Sequence, residues 1–357
     1  MAFETIPGNR GYVWAKTEVT YGADPTLVIG DVQYVENFTS NPRRVMTPRT
    51  GMSPYRPGWR PVRTSIEPTW SCDIELGDIT LADSDTVRPQ YEPFLRAAGF
   101  DAGTYSAATS NCLVYNLLSH GHGSCALEEY YFVEDELDSV GTQYLGCRAD
   151  WTININGSER WMMSLDASAK TGTQAAGTTP ATATYVFAQP ATGDKTVVSL
   201  KEYDGDTAYA GLVLSASISG NMGKTVVSGL SGAVAGPAKV VLNPTAGITV
   251  ELIMEQVEDA DWNPIGWMDT AGGGSLTHEL QFSYTNGDDN MLLCGGTTAA
   301  SADMDYFGVA LQDLEHIGDQ DGSRVWKMTF SGLYPEVGTD EGGIVPANNL
   351  QLVFQQD

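Results

Sequence analysis

The residues best suited to chemistry are Cys112, His120, His122 and Cys125, the types that ligate zinc. A structural zinc ion needs four nitrogen or sulfur ligands converging as a tetrahedron, and the spacing C-x7-H-x-H-x2-C follows no common pattern for it. The flanking runs CLVYNLLS and SCALEEYYFV read as two strands of a hairpin with HGHG at its turn. Such a hairpin keeps Cys112 away from Cys125, so HGHG reads as a polar turn. His278 alternates onto the apolar face of its strand and reads as a hydrogen-bonded core or interface histidine rather than a base. The neighbours Glu128–Glu129, Asp135–Glu136 and Asp288–Asp289 have the residue types of a glycosidase pair. Among 45 acidic residues, however, adjacent pairs arise by chance. Asp319-Gln320-Asp321-Gly322 is a fragment of a calcium loop without the twelve-residue ligand pattern, and reads as a tight turn between strands. There is no G-x-S-x-G elbow, P-loop or G-x-G-x-x-G. No catalytic residue, cofactor or metal ligand is nominated.

The elements that carry these residues are strands. In TWSCDIEL, Trp70, Cys72, Ile74 and Leu76 face one way while Ser71, Asp73 and Glu75 face the other. The same period of two runs through WTININ (Trp151, Ile153, Ile155) and ITVELIM (Ile248, Val250, Leu252, Met254). It recurs in LTHELQFSY (Leu280, Phe282, Tyr284), VWKMTF (Trp326, Met328, Phe330) and LQLVF (Leu350, Leu352, Phe354). Strands with one apolar face predict antiparallel sheets, each covering a core on one side. With 39 glycines and turns such as YDGD and TNGDD, the chain reads as an all-β sandwich or barrel. One short helix is predicted in RPQYEPFLRAAGF, where Pro89 and Pro93 suit a first turn and Gly99 a stop.

Composition narrows the function. Of 357 residues, 19 are Lys or Arg and 45 are Asp or Glu, a formal charge of −26. That balance opposes a counterion-releasing grip on nucleic acid and adsorption to an anionic membrane. No run of 18 apolar residues spans a bilayer, and MAFETIPGNRGYVWAK has neither the basic nor the apolar region of a Sec signal. Five scattered cysteines are no disulfide framework and suit synthesis in a reducing cytoplasm.

Residues 40–66 differ in kind. This stretch holds six arginines (Arg43, Arg44, Arg49, Arg56, Arg60, Arg63), five prolines and no acid. Because prolines disfavour ladder pairing, it reads as an extended arm or long loop. Its arginines fit the acidic surface of another copy, with Tyr55 and Trp59 as apolar anchors. The chain also repeats itself. YLG at Tyr144–Gly146 recurs as YFG at Tyr306–Gly308, and GSERWMMSL (Gly157–Leu165) as GSRVWKMTF (Gly322–Phe330), in offsets that differ by three residues. Two tandem related modules are predicted, 1–172 with the arm and 173–357 with Gly/Ala-rich loops. The Ala/Thr/Gly-rich 166–194 reads as their join, and 219–238 as a loop.

Taken together, four segments resemble the major tail tube proteins of long-tailed bacteriophages. KTEVTYGADPT (Lys16–Thr26) is similar to the family's entry strand and Tyr-Gly-x-x-Pro turn. SIEPTWSCDIELGD followed by YEPFLRAAGF is similar to its central strand and helix. YLGCRADWTI resembles its Leu-Gly-x-Arg strand, and DLEHIGDQDGSRVWKMTF with LQLVF its closing pair. The Arg/Pro-rich arm and the HGHG turn depart from that pattern.

The resemblance implies a tail-tube-type β-sandwich or split barrel with a short flanking helix. It implies a structural, non-enzymatic protein of the virion tail, made in the host bacterial cytoplasm. Copies would close into rings around a barrel-like lumen and stack into a tube that conducts DNA. Partners would be the chain itself, the tail terminator, the baseplate or distal tail proteins, and a tape measure protein and DNA held loosely in the lumen, without a membrane. Two modules per chain favour a trimer with pseudo-six-fold symmetry over a hexamer. Other expectations are another virion β module (tail terminator or baseplate hub) or, for eight Trp and sixteen Tyr, a carbohydrate-binding β-sandwich.

Overall fold

Alternation in the sequence becomes alternation in burial. The computed structural model describes residues 11–41, 44–48, 61–66, 68–77, 87–106, 111–118, 120–132, 138–178, 190–202, 208–209, 211–228, 237–243, 248–257, 262–271, 278–285, 290–297, 304–320, 323–332 and 350–356. In chain order the elements are β1 (Gly11–Thr17), β2 (Val32–Gln33), β3 (Glu36–Asn41), β4 (Arg44–Pro48), β5 (Pro61–Ile66), β6 (Thr69–Glu75) and helix α1 (Glu92–Ala97). Next come β7 (Thr104–Ser106), β8 (Asn111–Asn116), β9 (Cys125–Phe132), β10 (Asp138–Asn156), β11 (Met162–Ser168) and β12 (Thr171–Thr178). Then follow β13 (Thr196–Glu202), β14 (Val213–Gly220), β15 (Thr225–Ser228), β16 (Pro237–Val241), β17 (Ile248–Glu255) and helix α2 (Pro264–Ala271). The last are β18 (His278–Thr285), β19 (Asn290–Thr297), β20 (Met304–Asp305), β21 (Phe307–Gln320), β22 (Ser323–Gly332) and β23 (Gln351–Gln356).

The chain is mainly β, as expected, with 65% strand and 8% helix, and its sheets are antiparallel. Strand β10 organises them. Its first half pairs with β9 on one edge and β12 on the other. Its second half pairs with β11 and β14. From there one eight-stranded sheet runs β3-β6-β11-β10-β14-β17-β22-β21. Beyond β21 the ladders pass to β18, which carries β13 on one edge and β19 on the other, and then to β23, β8 and β7. Followed strand by strand, the described ladders never return to their start, so the sheet is open rather than a closed barrel.

One core lies behind this sheet. Trp70, Cys72 and Ile74 of β6, Trp151 and Ile153 of β10, and Val250 and Leu252 of β17 are buried in one cluster. That cluster also takes in Phe354 of β23 and Val13 of β1. Sheet and core are continuous across residue 172: β14 pairs with β10, and β23 with β8. Helix α1 ends as its sequence predicts, with Gly99 in the left-handed region at φ +97° and Leu95, Ala97 and Ala98 fully buried.

Four expectations change. The residues read as a hairpin around HGHG are not one: β8 pairs with β7 and β23, β9 with β1 and β10. The intervening segment therefore crosses between sheets. The arm is partly a ladder, since β4 and β5 pair antiparallel from Arg44↔Ile66 to Pro48↔Pro61. Each strand of a two-stranded ribbon has an open edge, where a proline without an N–H need break no ladder bond. The join at 166–194 contains β12, and the loop at 219–238 contains β15, which pairs with β16. Helix α2 is not legible in the sequence, because PIGWMDTA has no clear apolar stripe.

The seam between β10 and β14 is tight. A Cβ on Gly220 would lie 2.3 Å from the Trp151 indole, whereas one on Gly157 would meet nothing within 4 Å. Gly220→Ala should therefore cost about 1–3 kcal/mol through overpacking, and Gly157→Ala much less. Urea unfolding of both variants checks the contrast.

Candidate functional site

The candidate site is a surface built from sheet edges, one polar sheet face and a hairpin. On the eight-stranded sheet, apart from Met162 of β11 and Ile253 of β17, most side chains away from the core are small and polar or acidic. They include Ser71, Asp73 and Glu75 from β6, Ser164 and Asp166 from β11, and Asp150, Thr152 and Asn154 from β10. Ser215, Ser217 and Ser219 of β14 and Thr249, Glu251 and Glu255 of β17 continue it. Three basic side chains that reach this face are each held by carboxylates. Arg160 pairs with Glu36 at 3.0 Å and also with Glu75. Lys224 lies 2.9 Å from Asp166 and 4.0 Å from Asp150, and Lys327 3.2 Å from Glu251. Partial burial raises the Asp150 pKa against the opposing pull of Lys224.

At the two ends of this sheet stand β3 and β21. Strand β3 pairs with β6 on one edge and, among the described residues, with no strand on the other. Strand β21 pairs with β22 along its length and with β18 only at Phe307–Val309. Past that point no described strand lies beside Gln312–Gln320 on the β18 side.

The hairpin of β4 and β5 continues the β3–β6 pair outward, from Asn41↔Thr69 to Arg44↔Ile66 and beyond. It brings two of the eight arm residues together on one ribbon, Arg44 opposite Ile66 and Arg63 opposite Met46. Arg43, Arg49, Tyr55, Arg56, Trp59 and Arg60 lie outside the described residues.

A buried polar knot fixes the bend of β10. The Glu18 carboxylate accepts from the Gly146 N–H at 2.7 Å, the Gly22 N–H at 2.8 Å and the Ser124 hydroxyl at 2.6 Å. Gly146 takes φ +67°, and the β9 register shifts between Tyr144 and Cys147. Arg148 then donates to the carbonyls of His122, Gly123 and Val240 at 2.7–3.0 Å, its guanidinium 4.8 Å from the centre of the Tyr21 ring. These bonds hold the HGHG crossing and the base of the β15–β16 hairpin on the first half of the chain. Burial lowers the His122 pKa, the main push coming from lost solvation.

The other chemistry-bearing residues stay apart. Cys112 lies on β8 and Cys125 on β9, strands of different ladders. Among the described residues no three His, Cys, Asp or Glu side chains converge as metal ligands. Glu128 and Glu129, adjacent on a strand, point opposite ways: Glu128 accepts from Gln143 and Tyr130, and buried Glu129 from Ser40 and Tyr144. Asp135, Glu136, Asp288 and Asp289 lie outside the described residues. Gln320 pairs with Ser323, so β21 and β22 pair up to these two residues, while Asp321 and Gly322 lie outside the described residues. No signal in the sequence marked the bare edges of β3 and β21, because an unpaired edge is a property of neighbours.

No protein-family model matches this chain, and no curated protein matches it.

His278 is fully buried, its ring 4.5 Å from that of Trp267 and 5.6 Å from that of Phe330. Burial disfavours its charged form and lowers its pKa to about 4. An unfolded histidine titrates near 6.5, so this contribution to stability is full above about pH 6.5 and is lost as pH falls towards 4. At pH 5 the loss is about 2 kcal/mol. Thermal melts at pH 7 and pH 5 should show a smaller drop for His278→Leu than for the unaltered chain.

Proposed function

We propose that the chain is the structural subunit of a phage tail tube, built of two tandem related modules, and that three copies close each ring. One observation carries this reading: the same pairing series occurs twice and the two series join edge to edge. The first runs β1-β9-β10-β11-β6-β3 with the β4–β5 ribbon between β3 and β6. The second runs β13-β18-β21-β22-β17-β14 with the β15–β16 ribbon between β14 and β17. A helix follows the sixth strand in one and the seventeenth in the other. The repeated sequence fits this correspondence. Met163 opposes Ile74 as Met328 opposes Leu252, and Leu165 opposes Cys72 as Phe330 opposes Val250.

A sheet with an open edge at each end can propagate from copy to copy. Strands about 4.8 Å apart and tilted about 40° set the size of a closed ring. Three copies of an eight-stranded sheet give a backbone diameter of roughly 48 Å and, less side chains, a bore of about 35 Å. That passes a duplex roughly 20 Å across. Two copies leave about 20 Å, too narrow for a hydrated duplex, and six leave about 80 Å.

The polar sheet face would line the bore. Tight phosphate binding needs cations free to displace counterions. On this face Arg160, Lys224 and Lys327 are already engaged by carboxylates, so DNA would meet hydroxyls and negative charge and slide. The basic ribbon of β4 and β5, projecting from the ring, would dock on the acidic surface of the next ring. The tail terminator, distal tail proteins and tape measure protein would be its partners at the ends and inside.

Negative-stain microscopy of the concentrated protein should show rings or tubes with a central channel. A population of featureless monomers, also after addition of tail-tip complexes as initiators, would sink the reading. Reversing Arg43, Arg44 and Arg49 to Glu should leave the melting temperature within about 2 °C, since exposed charges contribute little. Stacking should be lost while single rings persist, as sedimentation would show.

A further inference from the structure

Within the chain, β10 gives the same edge first to β9 and then, over Trp151–Asn156, to β14. Strand β21 is built alike, with β18 beside its start and no described strand beside Gln312–Gln320 on that edge. The strand that fills the place beside β10 is β14, which on its far edge holds β17 as β3 holds β6. We propose that β3 of one copy pairs antiparallel with β21 of the next, in the register by which β14 pairs with β10. This inference rests on the tube reading and adds to it the two edges and their alignment.

The register follows from the ladders. Ser164 lies opposite both Thr152 and Asp73, and Thr329 opposite both Asp313 and Glu251, so Asp313 occupies the place of Thr152. Ser71 lies opposite both Asp166 and Thr39, and Thr249 opposite both Ser331 and Ser219, so Thr39 occupies the place of Ser219. Thr152 and Ser219 face each other with hydroxyls 3.1 Å apart. Thr39 of one copy therefore falls opposite Asp313 of the next, hydroxyl beside carboxylate. Both residues are exposed in the single chain. Phe38, packed against the core from β3, then meets Leu314, packed against it from β21.

The edges themselves are left open to such pairing. Lone edges are commonly guarded by lysine or proline. Neither Glu36–Asn41 nor Phe307–Gln320 contains one, although each strand bulges against its own partner, β3 between Glu36 and Thr39 and β21 between Leu311 and Asp313 and between His316 and Gly318. The outward charges do not oppose contact, since Thr39 and Asn37 are neutral and face the acidic stretch of Asp313 and Glu315.

The test is disulfide trapping. Thr39→Cys/Asp313→Cys, assembled and mildly oxidised, should give non-reducing gel bands of two and three linked chains and nothing larger. Moving the second thiol to the position of Glu315 should slow linking by about tenfold, because cross-strand bonding needs Cβ atoms about 4 Å apart. Thr152→Cys/Ser219→Cys should link within one chain and proves the oxidation. Mixing the two single variants tests the contact without a doubly altered fold and should give only two-chain bands. Rings or tubes of Thr39→Cys/Asp313→Cys whose two introduced thiols stay unlinked, while the internal control links, would overturn this register and leave the tube reading standing. Bands climbing to six chains would overturn closure at three. A chain that neither links nor assembles would overturn both.

Discussion

The structure depends on one strand serving two sheets. For β10 to pass from β9 and β12 to β11 and β14 it must bend, and the bend leaves backbone donors without ladder partners. Glu18 accepts one of them, from Gly146, together with the Gly22 N–H and the Ser124 hydroxyl. A buried carboxylate is stable there only because every contact is a donor. Arg148, two residues further, reaches three carbonyls, those of His122 and Gly123 in a segment that no ladder orders and that of Val240 on β16. Loss of either side chain would strand the other groups of the knot in a dry site, so the bend is fixed rather than hinged.

That fixed bend determines what the molecule presents. It turns the second half of β10 so that its apolar side, Trp151, Ile153 and Ile155, packs into the core, and its polar side lies on the open face. It also leaves an edge of β10 available past β9, which β14 takes. The face carries more carboxylates than cations, and Lys224 and Lys327 on it lie 2.9–4.0 Å from carboxylates. A surface of this kind is well hydrated and offers a polyanion neither a cation to bind nor an apolar patch to stick to.

Much of this was legible in the sequence, for a physical reason. A strand buried on one side writes its burial with period two, so β6, β10, β17, β18 and β22 could be read from Trp70, Ile153, Val250, Phe282 and Phe330. Helix α1 was legible through Pro93 and Gly99, residues with backbone constraints of their own. Pairing partners were not. The segments before and after HGHG alternate like a hairpin, yet their neighbours are set by Arg148 and by the returning strand β23, which are distant in sequence. The arm is only in part the loop its prolines suggest, because proline excludes a strand only where its missing N–H faces a partner, and a ribbon has two edges that face none. The proposed repeat is faint in residue identity, since alternation preserves burial and not side-chain type: in that correspondence Cys72 would stand where Val250 does, and Leu165 where Phe330 does.

A ladder between β3 and β21 would involve about six residues on each strand, and net hydrogen bonds of about 0.5–1.5 kcal/mol each give only a few kcal/mol. Against the translational and rotational entropy lost on association, a single such contact is weak. Two copies joined at one ladder should therefore come apart readily. In the proposed ring a third copy would change the balance, because it would close two ladders while losing its freedom only once, the last contact forming within an already connected assembly. In the proposed assembly weak edges would thus favour closed rings over open chains, with single copies at low concentration and cooperative closure at higher concentration. In the proposed tube the basic ribbon would add a second, orthogonal contact, multivalent only on a finished ring, so stacking would follow closure and not compete with it.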